Sequence, residues 1–250
     1  MKQRIQKVMA AAGLCSRRAA EAMISAGRVK VNGRPVGLGD SMDDAKDVLS
    51  VDGQTLRFDK KRRMLYIMLN KPRGYLTTAK DERGRRTVME LLQGVDERVY
   101  PVGRLDKDSE GLLLLTNDGD FANLMTHPGG GVSKLYRTTV RPRATEAQIA
   151  KLAGGVTLDD GSRTMPAAVR VVAEYPDRSV LELTLREGKN RQVRRMCDAV
   201  GLSVARLRRN GVGPMKLGML KPGQWRELTP TEVNALRGSA AKAQRQAMQK

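Results

Sequence analysis

The chain has 250 residues and carries 46 Lys and Arg against 27 Asp and Glu, a net charge of +19. Such a balance points to a polyanionic partner, because each cation set against a phosphate releases condensed counterions; two Phe, five Tyr and one Trp argue against an extended stacking platform for single strands. A 40% hydrophobic share excludes wholesale disorder, and no run reaches the length of a membrane-crossing helix.

In chain order, Ile5, Val8, Met9 and Ala12 recur at helical spacing, with Gly13 placed to end the helix. The charged start followed by a short apolar run and Arg17-Arg18 is read as an amphipathic helix rather than a secretory leader. Ser16 is an N-cap for a second helix that turns Ala19, Ala20, Met23 and Ile24 inward and stops at Gly27. Val29 and Val31 alternate up to Asn32-Gly33, and a second strand pair, residues 48–51 and 54–56, turns on Asp52-Gly53. Two helices and a small sheet make residues 1–60 a module. The run Lys60-Lys61-Arg62-Arg63 reads as a linker that is either a solvated hinge or a phosphate contact.

Beyond it, residues 64–69 and 111–116 are apolar runs of strand length, the second closed by a turn at Asn117-Asp118-Gly119. Residues 167–173 and the alternating Leu181, Leu183 and Leu185 predict further strands. Thr145 and Gln148 form a capping box, Val193, Met196, Cys197 and Val200 follow helical spacing up to Gly201, and Thr229, Pro230 and Glu232 open a last helix. This order is no regular βαβα alternation. It predicts an α+β chain: a small two-helix plus hairpin module, then a mainly antiparallel mixed-sheet domain over 61–237, then a basic flexible tail over 238–250.

Several chemistries lack their residues. There is no phosphate-binding loop and no dinucleotide fingerprint, and His127 with two scattered cysteines makes no recognisable zinc site. Cys15 and Cys197 are too few for a disulfide framework, which fits a reducing cytoplasm. No cofactor and no metal are expected. Charge is concentrated instead: residues 186–221 hold ten Lys and Arg against Glu187 and Asp198. Like charges this dense repel unless something anionic offsets them, although each arginine singly is readable as part of a solvated helix face. Asp106, in Gly103-Arg104-Leu105-Asp106, sits just before a deeply buried strand. It is readable as a turn residue or as a carboxylate at the mouth of a cleft. Asp118 and Asp120 belong to the expected tight turn.

These segments also carry a resemblance. Ile5-Gln6-Lys7-Val8, Ala12-Gly13, Ser16-Arg17-Arg18 and residues 27–33 resemble the small RNA-binding module named after a ribosomal protein. Leu69-Asn70-Lys71-Pro72-Arg73-Gly74, Tyr100-Pro101-Val102-Gly103-Arg104-Leu105-Asp106, residues 111–119, Lys134-Leu135-Tyr136 and residues 187–196 follow in order. Together they resemble the ribosomal RNA pseudouridine synthases, in the branch that includes small-subunit and several large-subunit uridine isomerases. Residues 208–213 are looser than that pattern.

The resemblance implies that Asp106 is the essential aspartate, that Tyr136 packs against the target base, and that Arg194 is the basic residue pairing with the aspartate. Arg17, Arg18, Arg28 and Lys30 in the module, with Arg104, Lys189, Arg191 and Arg195 beyond it, are the expected RNA contacts. Such an enzyme breaks the N1–C1′ bond of a uridine, turns the uracil over and rejoins it through C5. A carboxylate offsets the positive character that develops on the sugar, either by covalent attack or as a base, and an arginine beside it fixes its rotamer. A tyrosine face holds the detached ring, and its hydroxyl is placed to assist loss of the C5 proton. The uridine must leave its stack to react. Residues 69–77 and the extended middle tilt the expected partner towards 23S RNA of the large subunit, met by a monomer. The competing readings are a non-enzymatic ribosome assembly factor, which gives no reason for the Asp106, Tyr136 and Arg194 segments to occur together, and a methyltransferase, for which the glycine-rich cofactor loop is missing.

Overall fold

The structure, a computed structural model, describes residues 2–56, 63–127 and 131–248, with side chains up to residue 245. Lys60, Lys61 and Arg62 of the expected linker lie outside the described residues. The chain divides into two compact units, the first built on residues 1–64 with 96–98 and 117–119, the second on the remainder.

In the first unit β1 (Gln3–Arg4) leads into α1 (Ile5–Ala11), and α2 (Arg17–Ser25) follows, capped by Ser16 Oγ accepting from Ala19 N–H at 3.0 Å. The strands β2 (Val29–Val31), β3 (Arg34–Pro35), β4 (Ser41–Met42), β5 (Leu49–Val51) and β6 (Gln54–Thr55) complete it, in a sheet of order β3-β2-β5-β6 and a separate β1-β4 pair. Both hairpins turn where the sequence places them. Asn32 (φ 51°) with Gly33 (φ 77°) and Asp52 (φ 51°) with Gly53 (φ 81°) each put two successive residues at positive φ, the geometry of a two-residue hairpin turn. Ile5, Val8, Met9, Ala20, Ile24, Val29, Met42 and Leu49 form the core.

The second unit is a nine-stranded sheet covered by helices. Its strands are β7 (Tyr66–Lys71), β8 (Tyr100–Val102), β9 (Glu110–Thr116), β10 (Lys134–Arg141), β11 (Ala168–Tyr175), β12 (Arg178–Leu185), β13 (Ser203–Val212), β14 (Met215–Lys216) and β15 (Trp225–Glu227). Their order is β11-β12-β10-β13-β9-β7-β15, with β14 on β13 and β8 on β9. All these pairs are antiparallel except β13 with β9, which run parallel. The chain is thus α+β with a mainly antiparallel mixed sheet, as its element order predicts. The parallel seam joins two antiparallel halves, and it demands a glycine. Gly111 has φ +106°, and a Cβ there would lie 2.3 Å from the Arg209 carbonyl oxygen.

Two expectations are corrected. Asn117-Asp118-Gly119 makes no hairpin: the chain enters α3 (Gly119–Thr126), which buries Phe121 and Met125 one turn apart. Nor is the end of the chain a flexible tail from Gly238. The last helix runs without a break from Pro230 to Met248, with Val233, Leu236 and Ala240 buried. Alanines at 235, 240, 241, 243 and 247 explain the difference, since alanine is the strongest helix former and two of the buried positions extend the stripe begun at Val233. The remaining helices, α4 (Glu146–Gly154) and α5 (Gln192–Asp198), stand where their caps and spacing place them, which makes the terminal helix α6.

Candidate active site

Asp106 lies on the loop between β8 and β9, and that loop is tied down along its backbone. Lys71, at the end of β7 and fully buried, donates to the carbonyls of Pro72 (3.1 Å), Asp106 (3.0 Å) and Ser109 (2.8 Å). The Thr77 hydroxyl donates to the Leu105 carbonyl at 2.6 Å, and Gly74 N–H donates to the Lys107 carbonyl at 2.7 Å. With Leu105 buried, the main chain on both sides of Asp106 is fixed while its carboxylate stays one-third exposed. Burial pushes the Lys71 ammonium down to about 8, against the opposing pull of Asp108, Asp106 and Glu110. Sequence reasoning found this segment without finding the role of Lys71. The clue available was a lysine ending an apolar strand-length run.

The arginine nearest Asp106 is not the expected one. Arg191, at the cap position of α5 in a left-handed conformation (φ 47°), places Nη1 3.4 Å from Asp106 Oδ2 and 3.7 Å from Asp108 Oδ1. Arg194, one turn into the helix and buried, pairs with Asp108 at 2.7 Å and donates to the Val204 carbonyl of β13 at 3.2 Å. The expected Arg194–Asp106 pair is therefore replaced by Arg191–Asp106. Residue 194 is turned towards β13, whereas residue 191 sits ahead of the helix with its side chain free to reach the loop. Asp108, which sequence reasoning passed over, binds both guanidinium groups.

Tyr136 lies on β10 and packs against two core clusters at once, that of Leu181, Leu183 and Leu185 and that of Leu105, Leu113 and Leu115. Beside it opens a cavity of about 520 Å³, lined among others by Asp106, Lys134, Tyr136, Arg191 and Leu207. A second cavity of about 470 Å³ is lined by Lys80, Arg85, Arg104, Asp106, Lys107 and Arg191. Arg104, Leu105, Asp106 and Arg191 border both, so the carboxylate stands where two cavities with basic side chains in their walls meet. Volumes of this order suit a small organic ligand.

The other expected contacts divide. Arg17 and Arg18 are exposed in the first turn of α2, Lys30 is exposed on β2, and Arg104 is exposed at both cavities. Arg28 is instead held by Asp52, through Nε to Oδ1 at 2.8 Å, and Arg195 is held by Asp159 and Asp160, the latter at 2.8 Å. Lys189 donates to Ser162 Oγ (3.0 Å) and the Arg163 carbonyl (2.8 Å). These three positions hold the protein's own groups because an acid or a carbonyl lies within reach of each, which the linear sequence does not display. Among the described residues no group of three His, Cys, Asp or Glu is placed to hold a metal ion, and no helix is long and apolar enough to cross a membrane.

The chain is similar to proteins of one family. Residues 65–199 match the family described as RNA pseudouridylate synthase, and residues 3–40 match the S4 domain. An RNA pseudouridine synthase of Aquifex aeolicus is 42% identical over 238 residues, spanning 94% of both chains. Ribosomal large subunit pseudouridine synthase B of Bacillus subtilis is 40% identical, over 95% of this chain and 97% of that one. A crystal structure of pseudouridylate synthase superposes with a TM-score of 0.68 at 30% identity, covering 93% of this chain and 99% of the other.

Proposed function

This chain belongs to the RNA pseudouridine synthase family, and from that premise we propose that its substrate is a uridine in the large-subunit ribosomal RNA. The observation that carries the reading is Asp106, its backbone clamped and its carboxylate beside Arg191 at the mouth of the cavity lined by Tyr136. The names of the relatives from Bacillus subtilis and Vibrio cholerae, both ribosomal large subunit pseudouridine synthase B, support the choice of RNA.

The uridine flips out of its stack into the cavity. The Asp106 carboxylate acts on the ribose and offsets its positive charge as the N1–C1′ bond opens. Arg191 holds that carboxylate in place, and Tyr136 offers its ring to the freed uracil. Arg194 is a positioning residue that works through Asp108. The module over residues 1–60 grips RNA phosphates with Arg17, Arg18 and Lys30, and residues 61–237 perform the chemistry with Arg104 at the rim. The protein acts as a monomer on the assembling subunit in the cytoplasm.

Mapping pseudouridines in ribosomal RNA from cells with and without the gene tests this. Loss of one large-subunit pseudouridine, restored by the wild-type gene, is expected. Loss confined to small-subunit RNA overturns the choice of substrate, and an unchanged map of all ribosomal RNA overturns the reading.

A further inference from the structure

The cavity beside Asp106 also holds a cation with no carboxylate at ion-pairing distance among the described residues. Lys134 and Tyr136 share one face of β10, since their partners Leu185 and Leu183 follow in β12 without a break in register. Both leucines are buried, so the Lys134 ammonium is set on an apolar face. It donates to the Val132 carbonyl at 3.2 Å, which leaves two of its three N–H groups unspent. Desolvation pushes it down to about 8, with Arg209 of β13 acting in the same direction and Glu187, beyond β12, opposing. At neutral pH it is a charged but poorly solvated donor. Ser109 borders the same cavity, 1% exposed, and its buried hydroxyl has no hydrogen-bond partner among the described residues. Unspent polar groups of this kind at a cavity wall await a polar ligand.

We propose that Lys134 is a further catalytic residue, whose ammonium hydrogen-bonds a carbonyl oxygen of the flipped uracil and offsets the negative charge on the ring while it is detached from the sugar. The proposal rests on the reading of this site as a uridine isomerase. When the N1–C1′ bond breaks, its electron pair stays with N1, and the charge spreads over N1, O2 and O4. The ring turns, a ring electron pair forms the C5–C1′ bond, the C5 proton passes to water, and N1 takes a proton back. The reaction is an isomerisation, balanced without oxidant or reductant, and Lys134 keeps its proton throughout. A fixed cation at the carbonyl edge acts where charge develops, which is where preorganised groups contribute most.

The test compares wild type, Lys134→Met and Lys134→Gln on large-subunit RNA transcripts made with uridine or with 5-fluorouridine. Opening of the target N1–C1′ bond is followed in single turnover by chromatography and mass spectrometry of the nucleosides. Fluorine at C5 stabilises the detached anion by itself. With uridine, the methionine variant is expected to lose about 10²-fold in rate while RNA affinity holds. With 5-fluorouridine the loss shrinks to about tenfold or less, because less of the charge is left for the ammonium to offset. Lys134→Gln, which keeps a donor without the charge, shows the same contrast and carries the test if the methionine variant does not fold. An equal loss on both bases, or no loss on either, overturns the proposal. A wild type that leaves both RNAs unchanged overturns the isomerase reading itself, a result distinct from either of those.

Discussion

Arg191 Nη1 lies 3.4 Å from Asp106 Oδ2, while Arg194 is committed to Asp108 at 2.7 Å and to the Val204 carbonyl. The two arginines, three residues apart, therefore separate in a mutant series. Arg191 is exposed, so Arg191→Gln is expected to leave the thermal midpoint unchanged and to lower kcat about 10²-fold. Arg194→Gln removes a buried guanidinium from a half-exposed aspartate, and is expected to cost about 1–3 kcal/mol of stability. Thermal melts beside kcat measurements decide it; the reverse pattern would restore Arg194 to the place beside Asp106.

Lys71 gives a second prediction. Lys71→Met strips a shared donor from three carbonyls and frees the Asp106 loop. A loss of about 3 kcal/mol is expected from the unsatisfied carbonyls, with kcat falling more than RNA affinity.

The same lysine sets a pH dependence. The folded-state values of Lys71 and Lys134 lie at about 8, below the ordinary 10.5, so the unfolded chain binds more protons between those limits. Their contribution is destabilising below about pH 8 and is relieved as pH rises towards 10.5. Urea unfolding between about pH 8 and 9, below the range in which the buried Cys197 thiol, pushed up to about 12, acts with the opposite sign, should show stability rising with pH, and the slope should be smaller in Lys71→Met. A flat wild-type profile between about pH 8 and 9 contradicts the burial of both ammonium groups.

Gly111→Ala tests the parallel seam. The new methyl would meet the Arg209 backbone at 2.3 Å from a positive-φ position. Backbone on both sides leaves nothing to yield, so a loss above about 3 kcal/mol, or failure to fold, is expected by chemical denaturation.

The first 63 residues hold 14 Lys and Arg against 7 Asp and Glu. Replacing Arg17, Arg18 and Lys30 together by Gln should weaken RNA binding and flatten log affinity against log salt by about 0.7–0.9 for each phosphate no longer neutralised. The kcat at saturating RNA should hold. An unchanged slope shows that these cations meet no phosphate.

What the sequence shows and what it hides have physical causes. Asn32-Gly33, Asp52-Gly53, Ser16 and the Thr145/Gln148 box are local chemistry, and each turn and cap falls where its residues put it. Asp106 and Tyr136 stand out only through the resemblance their continuous segments carry, since taken singly each reads as a turn or a core residue. The exchange of Arg191 for Arg194, the Asp108 bridge and the Lys71 clamp were hidden, because each depends on which way a side chain leaves its element across separations of 35 to 86 residues. Arg28 and Arg195 looked free for the same reason, their acids lying 24 and 36 residues away. Small residues after Gly238 hid a helix that draws its stability from alanine.

The most direct measurement is tritium release from ribosomal RNA labelled at uridine C5, catalysed by wild type and by Asp106→Asn. The C5 proton leaves only if uracil rejoins the sugar through C5. Wild type should release one equivalent of tritium per RNA, and the variant, folded and still bound to RNA, none. Release by Asp106→Asn at a rate near that of wild type would contradict the account at its centre.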